Sequence, residues 1–513
     1  MTESTNPVAQ HLRVHALFRM PELVGTVPGL AGTTVATGIT RVERGSAQTV
    51  AQDYYDTADL RLIRGGAMLT RRAGGSEAGW HLSLPPVGDP GAADEVHRPL
   101  SAGRPGRVPA ELTDAVTALA RRAPVVRVAQ LTIERSVHVL FDDADEPVAE
   151  LVDEVVSIMD GKVVAGRFRE ITLSSVADHD QGVLAPVLDL LAAHGAVPGG
   201  MSRTRSVLGP AAEGSPEVPE PDRVGPDDPA GEAVHAHLVT HVRRFLLQDA
   251  RVRQDLPDSV HQMRVAARRL RSGLRVFGPL VETDWSRHLR DELGWAASEL
   301  GLSRDSEVLL ARLDAHADEL CATDAALIHE HIDPMMTAKV AAGRAEALAA
   351  LRSERHLALL DALVDAANNP RLTPAAQAPA REALPPLFDK AWRKLAKEVK
   401  ALTLHGPADE WHETRITAKR ARYAAEALAP VFGASAKGLA SALGEVTEQL
   451  GEHQDAYIAQ EACRELAEHF EGPTGFALGL LSAYQVECEL IARVKMTEKW
   501  PGVRRQRAQT SLG

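Results

Sequence analysis

Two segments of the sequence carry closely spaced histidine, arginine and lysine residues that could bind an anion. The first, at 261–271, reads HQMRVAARRLR, and the second, at 412–422, reads HETRITAKRAR. Corresponding positions lie 151 residues apart, from 261 to 412, and a spacing kept over that distance indicates an internal duplication. At about 100° per residue, the basic residues of each segment fall on one side of an α-helix.

Each basic side is paired with an apolar side that can pack against a core. In the first copy, the basic side carries His261, Arg264, Arg268, Arg271 and Arg275. The apolar side of that helix carries Met263, Ala267, Leu270, Leu274 and Phe277. In the second copy, the basic side carries His412, Arg415, Lys419 and Arg422. The pattern predicts two helices that bury one side and keep their cations in water.

The arginines of the first copy have no acidic partner on their own helix. No acid occurs in 261–275, so ion pairs between residues four apart cannot neutralise them. Like charges at helical spacing repel, and this cost favours an external anion. The planar guanidinium matches phosphate oxygens in bidentate geometry and is only weakly hydrated. The alternative is that the basic side is solvated or pairs with acids on neighbouring helices.

A second pair of short segments follows the basic helices, with LGLSRD at 300–305 and LGEHQD at 450–455. We expect Asp305 and Asp455 to orient the arginines or to lie at helix ends. Metal binding is not expected, because each basic motif has one histidine and no acid at ligand spacing. His329 and His331 are expected to be surface residues, since alternate residues of a helix do not converge on one ion.

The composition limits the classes of protein that fit the chain. A net charge of −13 over 513 residues excludes a generally basic, nucleic-acid-coated surface, so an anion site must be a local patch. Cys321, Cys463 and Cys488 show no CxxC spacing, and we expect buried, reduced thiols. We find no signal-peptide pattern and no apolar run of about 20 residues, so we expect a cytoplasmic protein without a membrane partner.

The chain divides at 209–231, a stretch with six prolines, four glycines and six acids. This composition predicts a disordered linker. Before it, apolar alternation in 130–143 and 146–158 on either side of an acidic turn predicts a hairpin, within an α+β half built on an antiparallel sheet. After it, long segments rich in alanine, leucine and arginine predict an all-α half.

The C-terminal segments resemble the CHAD family, the conserved histidine α-helical domain, over roughly 230–513. The resemblance is carried by VHQMRVAARRLR, LGLSRD, WHETRITAKRARY and LGEHQDA. It implies two pseudo-symmetric four-helix bundles whose basic helices line a surface that holds inorganic polyphosphate. The implied ligand contacts are His261, Arg264, Arg268, Arg271, Arg304, His412, Arg415, Lys419, Arg422 and His453. Gln454 stands where the first copy has Arg304, so the two halves should not contribute equally.

The N-terminal half, 9–208, resembles the CYTH family, the triphosphate tunnel domain. The resembling segments are DYYDTADLRLIRGGAMLTRR, GWHLSLP, PVAELVDEVVS and FREITLSS. The resemblance implies an antiparallel β-tunnel. In active members, glutamates on inward strand positions hold Mg²⁺ or Mn²⁺, and basic residues grip the phosphates.

Most of these tunnel positions are changed in this chain. The expected ExExK is replaced by Arg13, His15 and Leu17, which offer no carboxylate and no lysine. Other expected charges are replaced by Thr70, Ser83, Thr132, Glu134, Thr172 and Ser174. The residues that remain are Arg72, Arg135, Glu150, Asp153, Glu154 and Glu170, with Arg205 in place of a late lysine. We interpret the four acids as exposed strand-edge residues and the tunnel as an inactive scaffold.

The sequence therefore predicts a CYTH-like domain at 9–208, a linker at 209–231 and a CHAD-like domain at 232–513. The predicted function is binding of inorganic polyphosphate in the cytoplasm, in association with polyphosphate granules, without catalytic residues, metal ligands or a cofactor. One alternative is a metal-dependent triphosphatase or adenylate cyclase that uses Mg²⁺ or Mn²⁺ and recruits substrate through the helical half. Another is a nucleic-acid binder, which the lack of aromatics within the basic segments disfavours. The sequence leaves the protein partners open.

Overall fold

The computed structural model describes residues 12–20, 39–86, 93–176, 184–199 and 202–511. The chain forms two compact units, Met1–Glu217 and Val218–Gly513, and the division falls inside the segment expected to be a linker. That segment has local structure rather than none. Pro210–Glu213 form a short 3-10 helix, and the Arg243 side chain donates to the Val218 carbonyl at 2.7 Å.

One antiparallel sheet forms the framework of the N-terminal unit, as the sequence predicts. Its strands are β1 Leu12–Met20, β2 Arg41–Arg44, β3 Gln48–Asp56, β4 Met68–Ala73, β5 Gly79–Leu84, β6 Asp94–Arg98, β7 Val126–Phe141, β8 Pro147–Asp160, β9 Val163–Val176 and β10 Val197–Pro198. The strand order is β10-β1-β9-β8-β7-β3-β4-β5-β6, and β2 pairs with β7. Among the described residues, this unit also contains the short α-helices α1 Arg61–Arg64, α2 Ala110–Ala115, α3 Thr117–Ala120, α4 Ala185–Ala193 and α5 Arg203–Leu208.

The predicted hairpin is formed by β7 and β8. Ile133 pairs with Val156 in its register, and both side chains are buried. The acidic turn closes because the Asp142 carboxylate accepts hydrogen bonds from the backbone N–H groups of Ala144 and Glu146, both at 2.9 Å. This hairpin places β8 and β9 in the interior of the sheet.

The C-terminal unit is helical throughout its described part, as predicted. Its helices are α6 Ala230–Arg253, α7 Ser259–Val276, α8 Thr283–Ala317, α9 Ala322–His331, α10 Asp333–Leu351, α11 Glu354–Asn368, α12 Ala380–Ala383, α13 Pro385–Ala401, α14 Ala408–Ala467 and α15 Pro473–Gln509. Gly433 has a φ of 58° and breaks α14 into two helical segments. No helix of the described residues is long and apolar enough to cross a membrane.

The duplication is visible in the order of the helices. In the first half α6 packs on α7, α7 on α8 and α8 on α10. In the second half, α13, the two segments of α14 and α15 follow in the same order and pack on one another in sequence. The basic segments therefore occupy equivalent places, on α7 and on the first segment of α14. Leu313, Met336 and Leu478 share one apolar cluster that joins the two halves.

Candidate anion-binding site

Helix α7 divides into two sides as its spacing predicts. The predicted apolar residues Met263, Ala267, Leu270, Leu274 and Phe277 are all buried. The basic residues from His261 to Arg271 are half-buried, and Arg275 is exposed. Burial of the apolar side fixes the rotation of the helix, so the direction of the basic side follows from packing.

The two copies of the basic motif meet where α7 packs on α14. The Arg268 guanidinium carbon lies 5.6 Å from the centroid of the Tyr423 ring. Beside this contact, Arg269 Nε lies 3.1 Å from Glu426 Oε2. The structure thus brings the basic sides of two segments, far apart in sequence, to one surface.

Three cations lie at the centre of this surface: Arg268, Arg415 and Lys419, which we call the central cations. The pKa of Lys419 is lowered to about 7, mainly by burial and also by the charges of Arg415 and Arg268, against an opposing effect of Asp455. Burial also lowers the pKa of Arg415, and Arg268 adds to the effect. Across the described part of the chain, none of the three forms an ion pair with a carboxylate. Asp455 offsets part of the charge of Arg415 and Lys419 without forming an ion pair with either, so the three cations remain a locally positive site.

One nitrogen atom of each of two central guanidinium groups also lacks a hydrogen-bond acceptor. The Nε atoms of Arg268 and Arg415 are inaccessible to solvent and have no hydrogen-bond partner in the described structure. Buried polar groups normally have partners, and a guanidinium without one carries a desolvation cost. An anion with several acceptor oxygens would offset that cost.

Around the central cations, three of the predicted contact residues are held by acids. Arg264 pairs with Asp305 at 2.8 Å, which fits the orienting role expected for that aspartate. Arg304 pairs with Glu307 at 3.1 Å. Arg422 pairs with Glu426 at 2.8 Å. Of these three pairs, only that of Arg264 with Asp305 joins neighbouring helices, as the alternative interpretation expects. Glu307 and Glu426 lie on the same helices as their arginines.

The three predicted histidines differ in their accessibility. His261 is half-buried, and burial lowers its pKa, with Arg304, Arg268 and Arg264 adding to the effect. The His412 ring is hydrogen-bonded to the Gln454 side-chain oxygen, so Gln454 takes a histidine partner at the position where the first copy has Arg304. Both histidines can still reach a ligand on the surface.

The prediction that His453 contacts the ligand is corrected by the structure. His453 is only 1% exposed, its ring stacks on Trp411 at 5.5 Å, and Nε2 lies 3.2 Å from Glu489 Oε1. Its pKa is lowered to about 4, mainly by burial and also by the charges of Arg493 and Arg415. A neutral, enclosed imidazole supports the helices beneath the surface and cannot contact a surface anion.

An aromatic ring that the sequence-based prediction did not include also lies next to the basic surface. Tyr423 follows the second motif directly and lies against Arg268. It is 7% exposed, so its ring face is covered. The expectation that no aromatic lies between the basic residues is corrected, but the surface still offers no open ring for a base to stack on.

Glycines on α8 make room for the arginines of α7. A Cβ atom added at Gly294 would lie 3.3 Å from Arg271 Nη2, and one added at Gly301 would lie 3.6 Å from Arg264 Nη2. Gly294 is not among the residues predicted from the sequence, although a repeated Leu-Gly pair could have identified it. LG occurs at 293–294 and 300–301 and again at 443–444 and 450–451, so this spacing is part of the duplication.

A separate cavity of about 300 Å³ lies in the N-terminal unit. Side chains at alternate positions of β3, β7, β8 and β9 line it, including Arg135, Glu150 and Ser174. Glu150 is 9% and Glu170 2% exposed, and both lie on interior strands. Asp153 and Glu154 also lie on the interior strand β8 and are half-buried, so the interpretation of the four acids as exposed strand-edge residues is wrong.

Arg203 of α5 fills the acidic part of this cavity. It forms ion pairs with Glu154 and Glu170, and its Nε lies 2.5 Å from Glu170 Oε2. The sequence predicts that Arg205 replaces the lysine near the end of this domain, but Arg205 pairs with Glu213 instead. Because an arginine occupies the carboxylates, these residues do not fit a Mg²⁺ or Mn²⁺ site. The side chains of Arg13 and His15 lie outside the described residues, and Leu17 pairs with Thr172 in the sheet.

His329 is more than the surface residue that the sequence predicts. Its Nδ1 lies 2.9 Å from Asp333 Oδ2 and its Nε2 lies 3.1 Å from Asp318 Oδ1. With Asp314 and Asp333 it forms the one cluster of the described residues whose ligand atoms are close enough to hold a metal ion. Burial and the neighbouring Asp333 raise the pKa of Asp314 to about 6. The ring of His331 stacks on Phe470 at 6.0 Å.

The C-terminal fold and its paired basic helices define a duplicated helical domain with a positive surface. The family model of the CHAD domain matches residues 236–464. An uncharacterized protein of Mycobacterium tuberculosis is 33% identical over 519 residues, which cover 95% of each chain. The chain belongs to the CHAD domain family.

Two solved structures are each similar to a part of the chain. PptA from Streptomyces chartreusis is 28% identical, with a TM-score of 0.47, and covers 53% of this chain and 100% of its own. A candidate adenylate cyclase from Bacillus halodurans is 12% identical, with a TM-score of 0.25, and covers 38% of this chain and 97% of its own.

Proposed function

We propose that the helical unit binds inorganic polyphosphate at the surface formed by α7 and α14. The observation that supports this most directly is the group of central cations, which come from both copies and have no carboxylate partner in the described structure. Guanidinium groups bind phosphate oxygens in bidentate pairs, and each phosphate unit of the polymer supplies such oxygens.

A linear polymer suits this arrangement better than a single phosphate. Arg268 comes from the first copy, and Arg415 and Lys419 come from the second. A chain that contacts one copy reaches the other as an intramolecular event, which raises affinity through effective concentration. The ion-paired Arg264 and Arg422 lie on the same two helices and can exchange their acids for phosphate.

Two other functions are less well supported. A nucleic-acid binder would need open aromatic rings for sequence-independent stacking, and the ring beside the site, Tyr423, is covered. A metal-dependent triphosphatase in the N-terminal cavity would need free carboxylates, and Glu154 and Glu170 are paired with Arg203. We propose that this unit serves as a scaffold and that the protein acts in the cytoplasm, at polyphosphate granules.

The test is a titration of long-chain polyphosphate against the full chain and a triple variant, Arg268→Ala, Arg415→Ala and Lys419→Ala. We expect a loss of affinity of about a hundredfold or more, since charge-assisted hydrogen bonds contribute about 1.5–3 kcal/mol each. The matched control removes three exposed cations of α13, with Arg393→Ala, Lys397→Ala and Lys400→Ala. An equal loss in both triple variants would show general charge attraction and refute a site at the central cations.

A further inference from the structure

A second cavity of about 300 Å³ lies between α7, α13 and α14. Its floor is apolar and includes Val276, Pro279, Leu387 and Ala391. Its volume is at the lower end of the range for small-molecule pockets, which are mostly apolar with a few placed polar groups. None of the central cations lines it, so it is distinct from the site proposed for polyphosphate.

The rim of this cavity is basic. Arg275 and Arg420 both line it and are close enough for their charges to interact, and Lys390 and Lys394 contribute from α13. Lys394 is balanced by Glu398, whose carboxylate lies 3.6 Å away on the same helix. Arg275, Arg420 and Lys390 form no ion pair with any described carboxylate. The cavity therefore combines an apolar floor with three cations that have no ion-pair partner.

The duplication shows that this rim is a departure from symmetry. On the equivalent flank of the helix pair, Arg269 and Glu426 form an ion pair of 3.1 Å. A shift of 151 residues carries Arg269 to Arg420, and it relates Arg275 to the place of Glu426. The flank with Arg269 and Glu426 is therefore closed by an ion pair, and we call it the closed flank. The flank with the cavity has two arginines at the equivalent positions, and we call it the open flank.

The like-charged flank is costly unless an anion occupies it. Although Arg275 is exposed as a residue, its guanidinium is partly buried, and this burial and the charge of Arg420 both lower its pKa. Inorganic phosphate would satisfy the cations but leave the apolar floor in contact with water. A ligand with an acidic head and an apolar body satisfies both, because charge pairs with the rim and hydrocarbon covers the floor.

We propose that this cavity binds a small soluble amphiphilic anion, a phosphate or carboxylate joined to an apolar chain or ring. The head contacts Arg275, Arg420 and Lys390, and the apolar body lies on Val276 and Leu387. The cavity lies between three helices of one unit, and its size favours a single soluble molecule over a membrane surface.

The test uses octyl phosphate as the probe and inorganic phosphate and octanol as its two halves, in titrations against the full chain. We expect octyl phosphate to bind at least about tenfold more tightly than either half, because head and chain contribute together. Arg275→Glu should lower that affinity about tenfold or more. This change reproduces on the open flank the ion pair that the closed flank already contains, so the helices should accommodate it. Lys397→Glu, an exposed residue of α13 outside the cavity, is the control and should bind like the parent.

Three results would overturn the proposal. The first is equal binding of octyl phosphate by the parent and Arg275→Glu, with both proteins folded by circular dichroism. The second is equal affinity for inorganic phosphate and octyl phosphate, which would mean that the floor contributes nothing. The third is binding to vesicles of anionic phospholipid without binding of octyl phosphate, which would indicate a membrane contact. If Arg275→Glu does not fold, the exposed Lys390→Ala replaces it, with the same expected direction.

Discussion

Arg269 of α7 and Glu426 of α14 form an ion pair of 3.1 Å that joins the two copies of the basic motif. The same carboxylate accepts a hydrogen bond from Arg422 at 2.8 Å. Glu426 therefore binds one arginine from each copy and fixes the two basic sides relative to each other. The central cations, which have no such acid, are left free for a ligand.

Replacing Glu426 by Gln should separate the effect of this residue on polyphosphate binding from its effect on stability. The change releases Arg269 and Arg422 from their shared acid, so we expect tighter polyphosphate binding. The stability should fall by about 1 kcal/mol, because the partly exposed ion pair is lost and like charges remain. Titration and thermal unfolding measure the two quantities. Weaker binding together with unchanged stability would contradict this role of Glu426.

Lys419 should make binding depend on pH. Its pKa of about 7 lies below the ordinary value of 10.5, so between these pH values the unfolded chain holds a proton that the folded chain has released. The free protein therefore gains stability as pH rises through this window. An anion favours the charged lysine, so binding takes up a proton, and affinity should fall by up to about tenfold per pH unit above pH 7.

The control for this prediction is Lys419→Arg, because arginine stays charged throughout that pH range. Polyphosphate titrations from pH 7 to pH 9 should give a falling affinity in the parent and a nearly constant one in the variant. The same slope in both proteins would assign the pH dependence to another group.

The sequence predicts the two sides of α7 correctly, because helical periodicity alone decides which residues pack in the core. It cannot show that Glu426 and Asp305 neutralise arginines of α7, since those acids lie on other helices and the rule for residues four apart does not detect them. The burial of His453 is missed for a similar reason, because Trp411 covers its ring only after the helices pack. In the N-terminal unit, residue type identifies a late cation, but only the fold distinguishes Arg203 from Arg205.

Arg203 should contribute to the stability of the N-terminal unit. Arg203→Met removes the nearest cation of Glu154 and Glu170. Glu170 is almost fully buried but keeps an ion pair with Arg19 at 2.9 Å. Removing one partner of a buried ion pair costs about 3–5 kcal/mol, and the remaining cation together with the partial exposure of Arg203 lowers the expected loss to about 2 kcal/mol. Chemical unfolding measures the change, with Arg205→Met as the matched control. A similar loss in the two variants would show that the ion pairs of Arg203 in the cavity contribute no more to stability than an exposed pair.

The same unit should not hydrolyse tripolyphosphate with Mg²⁺ or Mn²⁺, because Arg203 occupies its carboxylates. Phosphate release from tripolyphosphate measures this directly. Metal-dependent release that disappears with Glu150→Gln would show that another set of ligands operates, and the scaffold proposal would be abandoned.

Chain length should distinguish one shared surface from two separate sites. Neutralising Arg415, Lys419 and Arg422 by alanine should weaken long-chain binding much more than binding of tripolyphosphate. The short ligand can still use Arg264, Arg268 and Arg271, while the long chain loses its second contact. Both ligands are titrated against the parent, against this variant, and against the corresponding variant of the first copy with alanine at Arg264, Arg268 and Arg271. Equal losses for both lengths would mean that the two copies act separately.

The glycines beside the arginines offer a test with a matched control. A Cβ at Gly294 would lie 3.3 Å from Arg271 Nη2, so Gly294→Ala must displace the guanidinium. A Cβ at Gly444, the equivalent position of the second copy, meets no atom within 4 Å. Alanine favours a helix over glycine by about 1 kcal/mol, so both variants should be more stable than the parent.

Only Gly294→Ala should also change binding, because only there does the new methyl group move a cation of the basic surface. We expect its polyphosphate affinity to fall a few-fold while Gly444→Ala binds like the parent, in a direct comparison of titrations and melting curves. A loss of affinity that accompanies higher stability cannot come from unfolding, so it must come from the position of Arg271. If Gly294→Ala binds as tightly as Gly444→Ala, Arg271 does not contact the polymer, and the basic surface ends at the central cations.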